Sequence, residues 1–490
     1  MRKSGILLAV SSLPDGYGIG DLGKGAYSFI DFLKKSGQYY WQILPINPTS
    51  FGNSPYQSFS AFAFNPYFID LDGLVSCGLL TQNECHEYFW GSDPKRVDYA
   101  AIYENRPKIL KKAADRFDSE NDPNYTEFCE KNKFWLEDYA FFMALKEKYG
   151  MRPLSEFPLA VRVRDRKTMT ELRKECSKQV DFHKITQFLF YRQWIKLKKY
   201  ANHNGVHIIG DIPIYVSSDS ADVWAHPELF CVGCDLVPQE VAGCPPDDFS
   251  PDGQLWGNPV YDWSVHKKDG YSWWLSRLKQ ADELFDCVRI DHFRGFYSFY
   301  CIPHGAENAR NGEWKKADGE AFISKVKSAM PRIKVIAEDL GFIDDEIRER
   351  MASSGFPGMR ILQFAFSGED NENLPHNYIG NSVVYTGTHD NDTVKGFIMS
   401  AEKKSVELAM DYFGVASVKQ LTDAFIRGAL SSVCDTAVIP MQDHLKQGSD
   451  SRMNIPSTVG DNWRYRIEYG DIDDNLINKL YRQTKLYSRL

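Results

Sequence analysis

Eight short runs of β-branched and apolar residues recur along this 490-residue chain, at positions 5–10, 40–45, 206–213, 287–293, 334–341, 359–364, 382–388 and 436–441. Most are followed by a stretch with helical periodicity, as at 26–35, 271–284, 321–329 and 344–351. Strands that alternate with helices imply parallel pairing through right-handed crossovers. Eight such units close most economically into a TIM-like (β/α)8 barrel, which is the predicted fold.

The runs are unevenly spaced. About 160 residues separate the second from the third and some 70 the third from the fourth. The chain is therefore expected to be one elaborated catalytic domain, residues 1–490, with two insertions. The first, about 66–200, is mainly helical, with periodic stretches at 134–149 and 185–200. The second, about 217–270, is loop-rich and dense in Pro, Gly, Asp and Trp from 244 to 263. Loops that follow barrel strands sit over the catalytic face, so both insertions are expected to shape substrate binding.

Composition narrows the function. A formal charge of -8 argues against a protein that gains its affinity by neutralising phosphates, so no nucleic-acid partner is expected. The apolar run after Met1-Arg2-Lys3 spans six residues, short of the roughly 7 to 15 of a signal peptide, and no stretch approaches the roughly 18 of a membrane helix. Ten cysteines are too sparse for a disulfide scaffold, which points to a reducing compartment and a cytoplasmic protein without a membrane partner. Cys231 and Cys234, with Cys244 further on, lack the second pair that a tetrahedral zinc site needs and read as ordinary thiols. No Gly-rich phosphate loop, metal cluster or Schiff-base motif stands out, so no metal and no cofactor is predicted; scattered Asp and Asn loops leave an oxygen-lined calcium site open as an alternative.

Three of the eight runs end in acids: Asp291 in Arg289-Ile-Asp291, Glu338 in Ile336-Ala-Glu338, and Asp390 after His389. Cleavage of a glycosidic bond with retention needs one carboxylate as nucleophile and a second carboxyl as proton donor, roughly 5 to 5.5 Å apart. Strand alternation puts Arg289 and Asp291 on one face, where the guanidinium would keep Asp291 ionised. Each motif also has a structural reading. Arg289 and Asp291 can fill a barrel end as an ion pair, Asp339 or Asp390 can cap the next helix, and His389 can be a satisfied core residue. Convergence at the fourth, fifth and seventh runs is the stronger signal.

Further blocks extend the pattern: Ser11-Ser-Leu-Pro14, Trp41-Gln-Ile-Leu-Pro45, 54–62 followed by Asn65-Pro-Tyr67, 210–216, 245–250, 253–259, Pro440-Met-Gln-Asp443, Arg452-Met-Asn454 and Gly460-Asp-Asn-Trp463. With the acid motifs they resemble, over essentially the whole chain, the 4-α-glucanotransferases called amylomaltases or disproportionating enzymes, glycoside hydrolase family 77 of the α-amylase clan. The resemblance implies that Asp291 is the nucleophile, Glu338 the general acid/base and Asp390 the transition-state stabiliser. It implies that Arg289 and His389 complete the donor-sugar shell, that Asp211 anchors the same site, and that Ser54, Tyr56, Trp256 and Asn462 contact sugar. A loop-ordering role competes for Asp211, Tyr56 and Trp256.

The partners so implied are an α-1,4-glucan donor and a glucose or maltooligosaccharide acceptor. Two other readings share the barrel. An α-amylase-like hydrolase would use the same three acids with water as acceptor, and a catalytically silent glucan-binding protein would be free to lose any of them.

Overall fold

A computed structural model describes residues 2–246, 250–341 and 345–490. Asp247, Asp248 and Phe249 of the 245–250 block, and Asp344 at the start of one expected helix, lie outside the described residues.

All eight predicted runs form strands, and the strands are joined in parallel in one sheet. The order runs from Gly358–Ile361 through Ser382–Tyr385, Thr436–Pro440, Lys3–Leu7, Tyr40–Gln42, His207–Ile212 and Cys287–Ile290 to Val335–Ala337. Its two edges meet where the Ala337 N–H donates to the Pro357 carbonyl at 2.9 Å. Asp339 reinforces this seam, accepting from the Met359 N–H at 2.6 Å and from Arg360 Nη1 at 3.0 Å. A Cβ on Gly358 would sit 2.2 Å from that carboxylate, so the seam requires glycine there. Asp339 therefore closes the barrel, where helix capping was the structural alternative for it.

Side-chain alternation sorts the strands into two layers. Leu7, Ile209, Ile336, Met359, Val383 and Val438 form one apolar cluster with members from seven of the eight strands, the filling of the barrel. Ile6, Ile208, Val288, Ile290 and Val335 point the other way, into the large core shared with the surrounding helices. The helices Lys24–Lys35, Ser272–Leu284 and Gly319–Ala329 carry buried apolar stripes to that layer. Toward the C-terminal ends of the strands the inward positions become polar: Gln42, Asp211 and Arg289 are all buried.

Between the second and third strands run three long helices, Tyr99–Arg116, Pro123–Lys148 and Ser177–His203. Pro123 occupies the first turn, where its missing N–H costs nothing, and Asp122 caps it by accepting from the Asn124 and Tyr125 N–H groups. One feature had no counterpart in the sequence reading. Gln254–Pro259, Glu240–Cys244, Ser298–Pro303 and Glu313–Lys316 form a second, antiparallel sheet in that order. It joins the insertion after the third strand to the loop after the fourth. Among the described residues no helix is long and apolar enough to cross a membrane.

Candidate active site

Arg289 organises the barrel mouth. Its Nη1 donates to both oxygens of Asp211, at 2.9 and 2.7 Å, while Nη2 donates to Asp291 Oδ1 at 3.0 Å and Glu338 Oε2 at 3.1 Å. Three adjacent strands thus deliver three carboxylates to one guanidinium. Because Asp291 and Glu338 share a donor nitrogen, these two oxygens are separated by no more than the sum of those two distances, which sets the two acids side by side. Burial works against the charge on Arg289, yet Asp211, Asp291 and Glu338 raise its pKa well above the usual arginine value.

The two acids differ in environment. Burial, and then the neighbouring Asp291 carboxylate, push Glu338 well above the usual range, against the pull of Arg289 and of the His292 N–H. That N–H donates to Glu338 Oε2 at 2.6 Å. It can do so because His292 adopts left-handed backbone, with φ 48°. Burial also pushes the His292 imidazole down to about 4, so the ring is neutral beside Asp291. Burial raises Asp211 too, with Arg289 opposing.

Tyr56 and His389 line the side of the mouth next to Asp211. The Tyr56 hydroxyl donates to Asp211 Oδ2 at 2.8 Å, and its ring stacks on His389 with centroids 4.9 Å apart and planes 15° from parallel. Ser54 Oγ accepts from the Tyr56 N–H at 3.2 Å and fixes the turn that presents the ring. His389 Nε2 lies 3.4 Å from Asp390 Oδ2. Asp390 is more open than the other two acids, with 44% of its side chain exposed. Its Oδ1 accepts from Asn454 Nδ2 at 2.6 Å, and its carbonyl accepts from Arg452 Nη2 at 2.6 Å.

The structure brings Asp211, Arg289, Asp291, Glu338, Tyr56, His389 and Asp390 into one connected group. Trp256 joins from the second sheet, meeting the His292 ring at 84° with centroids 4.9 Å apart. Asn462 stands apart: its amide is spent inside its own loop, accepting from the Ile455 N–H at 3.0 Å and donating to the Thr458 carbonyl at 3.0 Å. It sets the shape of the 455–462 segment. Four contributors had no role in the sequence reading. Arg452 and Asn454 were part of a quoted block, but nothing local reveals that they hold Asp390. His292 and Trp463 owe their places to left-handed backbone, φ 48° and 65°, and Trp463 borders both Tyr56 and His389.

Among the described residues no group of three or more His, Cys, Asp or Glu is arranged to hold a metal ion, and the cysteines form no disulfide. The arrangement is suited to acid/base and nucleophilic work at a carbon bearing oxygen leaving groups: two carboxyl groups on one guanidinium nitrogen, one of them, Glu338, pushed toward its protonated form by burial, and a third acid open to solvent.

The 4-alpha-glucanotransferase family model matches residues 8–472. The 4-alpha-glucanotransferase of Clostridium butyricum is 44% identical over 98% of this chain and 99% of its own length. That of Thermus thermophilus is 44% identical over 96% of each. Among solved structures, the amylomaltase of Streptococcus agalactiae in complex with acarbose superposes with a TM-score of 0.97 at 40% identity, covering the whole of both chains. The Corynebacterium glutamicum amylomaltase shares the fold, with a TM-score of 0.80 at 17% identity over all of this chain and 75% of its own.

Proposed function

The chain belongs to the 4-alpha-glucanotransferase family, and we propose that it transfers a segment of an α-1,4-glucan to the 4-hydroxyl of glucose or of a maltooligosaccharide by double displacement. The observation that carries this reading is the Arg289 fork, which holds Asp291 and Glu338 on one nitrogen while burial and the neighbouring acid push Glu338 toward its protonated form.

In the first half-reaction Asp291 attacks the anomeric carbon while Glu338 gives its proton to the glycosidic oxygen. The C–O bond breaks, a glycosyl ester forms on Asp291, and the reducing-end fragment leaves with the proton. Glu338 Oε2 is occupied by the His292 N–H and Arg289, which leaves Oε1 to carry that proton. In the second half-reaction the ionised Glu338 takes the proton from the acceptor 4-hydroxyl, whose oxygen displaces Asp291. Two inversions restore the anomeric configuration.

Asp390, steadied by Asn454 and Arg452, is placed to hold sugar hydroxyls as the ring flattens. Tyr56, His389, Ser54, Trp256 and Asp211 shape the donor-sugar shell, and Asn462 acts through its loop. Transfer prevails over hydrolysis when acceptor sugar, not water, occupies the mouth during the intermediate's lifetime. The insertions at about 66–200 and 217–270 supply the walls of one catalytic unit. The sparse cysteines and the absence among the described residues of a membrane-length apolar helix support a cytoplasmic location.

Incubation with maltotriose alone tests the reading. A ladder of longer maltooligosaccharides with glucose, at nearly constant total reducing ends, is the expected result. Steadily rising reducing ends with only shorter sugars would establish hydrolysis in its place.

A further inference from the structure

The Pro440-Met-Gln-Asp443 block closes the eighth barrel strand, and its carboxylate, 1% exposed, makes its hydrogen bonds outside the Arg289 network. Asp443 lies in the short helix Met441–His444. Its Oδ2 accepts from the Thr386 hydroxyl at 2.6 Å and its Oδ1 from the Val394 N–H at 2.7 Å. Thr386 follows the seventh strand, Ser382–Tyr385, and Val394 opens the helix Val394–Ser400. The segment between these two anchors contains His389 and Asp390. We propose that Asp443 is a positioning residue for that segment, gripping both of its ends with the two oxygens of one buried carboxylate and so fixing where His389 and Asp390 stand. The inference rests on the functional reading above for the consequence of the grip, though not for the grip itself.

Geometry favours this over simple core filling. A buried carboxylate is costly to keep where an apolar side chain would pack, and burial pushes Asp443 up to about 6, with Asp392 adding to the rise and the two donors opposing it. The seventh and eighth strands already pair through Val383, Val384 and Tyr385, so the sheet does not need the carboxylate. Asp443 takes a hydrogen bond from each end of the segment, one on each carboxylate oxygen. Inside it Asn391 Oδ1 accepts from the Thr388 N–H and hydroxyl, at 2.8 and 2.9 Å, and Gln363 Nε2 donates to the Asp392 carbonyl at 2.7 Å. The segment is thereby stiff enough to transmit a shift at its ends.

The test compares Asp443→Ala, Asp443→Asn and Thr386→Val in the full chain, alone and with Asp390→Asn. Two readouts are taken: amide hydrogen exchange across 386–394, and affinity for acarbose, which needs no turnover. In Asp443→Ala those amides exchange at least about tenfold faster and acarbose binding weakens about tenfold, whereas Asp443→Asn, which can still accept from Val394 and donate to Thr386, stays within about threefold of the parent. In the Asp390→Asn background Asp443→Ala weakens binding by clearly less than in the parent, because the part of its effect that passes through Asp390 is already lost. Equal losses in both backgrounds, or unchanged exchange across 386–394, would overturn the proposal. Thr386→Val removes one anchor and reads the same quantities if Asp443→Ala does not fold. Failure of the parent protein to bind acarbose would count against the glucan reading and leave the exchange measurement to decide the grip.

Discussion

Asp211 receives both of its hydrogen bonds from Arg289 through a single nitrogen, Nη1, at 2.7 and 2.9 Å. This end-on geometry turns the other nitrogen, Nη2, toward Asp291 and Glu338. Asp211 is 1% and Arg289 3% exposed, so the pair is a buried mount that holds Asp291 and Glu338 in place. Removing Asp211 leaves the buried Nη1 of Arg289 without its acceptor, while Nη2 keeps Asp291 and Glu338. Asp211→Ala is expected to destabilise the fold by about 1–3 kcal/mol and to lower transfer activity with it, as read by denaturant unfolding and a maltotriose assay. A variant as stable as the parent would show that water replaces the carboxylate at no cost.

Asp291→Asn removes the proposed nucleophile while keeping its shape and its place beside Arg289. Transfer is expected to fall by roughly 10⁴-fold or more with the fold intact. Initial rates on maltotriose, with circular dichroism as the control for folding, check this. Activity near that of the parent would take Asp291 out of the nucleophile's role.

The pKa of Glu338 is raised by burial and by Asp291, which fixes the sign of its effect on stability. Below the usual glutamate value of about 4.3 the group is protonated in both the folded and the unfolded chain. As pH rises from there through the raised folded value, the unfolded chain gives up its proton first and the stabilising contribution is lost. Glu338→Gln mimics the protonated acid. It is expected to match the parent in thermal stability near pH 4 and to exceed it at pH values above the usual glutamate range, while transfer collapses; melting temperatures taken from pH 4 to pH 8 check this. Equal melting temperatures across that range would show that Glu338 is not held protonated by the fold.

The barrel was legible because its signal is local and repeated. Each strand is a short β-branched run, and a two-residue period sufficed to put Arg289 and Asp291 on one side. The strands end sooner than the apolar runs do: the run at 5–10 pairs only as Lys3–Leu7, and that at 334–341 only as Val335–Ala337. In the latter the ladder stops where Glu338 and Asp339 turn to other partners, Arg289 and the seam. The antiparallel sheet was not legible, since Glu240–Cys244 pairs with Ser298–Pro303 across more than 50 residues and an intervening barrel strand. Asn454 is a similar case: it reaches Asp390 over a separation of 64 residues, and a single sequence contains no trace of such a contact. Tertiary partners, not local preference, decide these positions.

Tyr56 separates two contributions that lie in one side chain. Its hydroxyl donates to Asp211 Oδ2, but Asp211 retains Arg289 when that hydroxyl is removed, so Tyr56→Phe leaves no buried carboxylate unpartnered. The loss is that of one hydrogen bond to a charged group, about 1.5–3 kcal/mol at most, with a longer 3.4 Å contact from the same hydroxyl to His389 Nδ1, and kcat/KM is expected to fall about tenfold. Tyr56→Ala also removes the ring that stacks on His389 and packs beside Trp463. His389 then loses the surface that orients it toward Asp390, water enters beside Asp211, and a further tenfold or greater loss is expected. Measuring kcat/KM on maltotriose for both variants decides the division. If Phe proves as damaging as Ala, the hydroxyl carries the whole effect and the stack on His389 contributes nothing to catalysis.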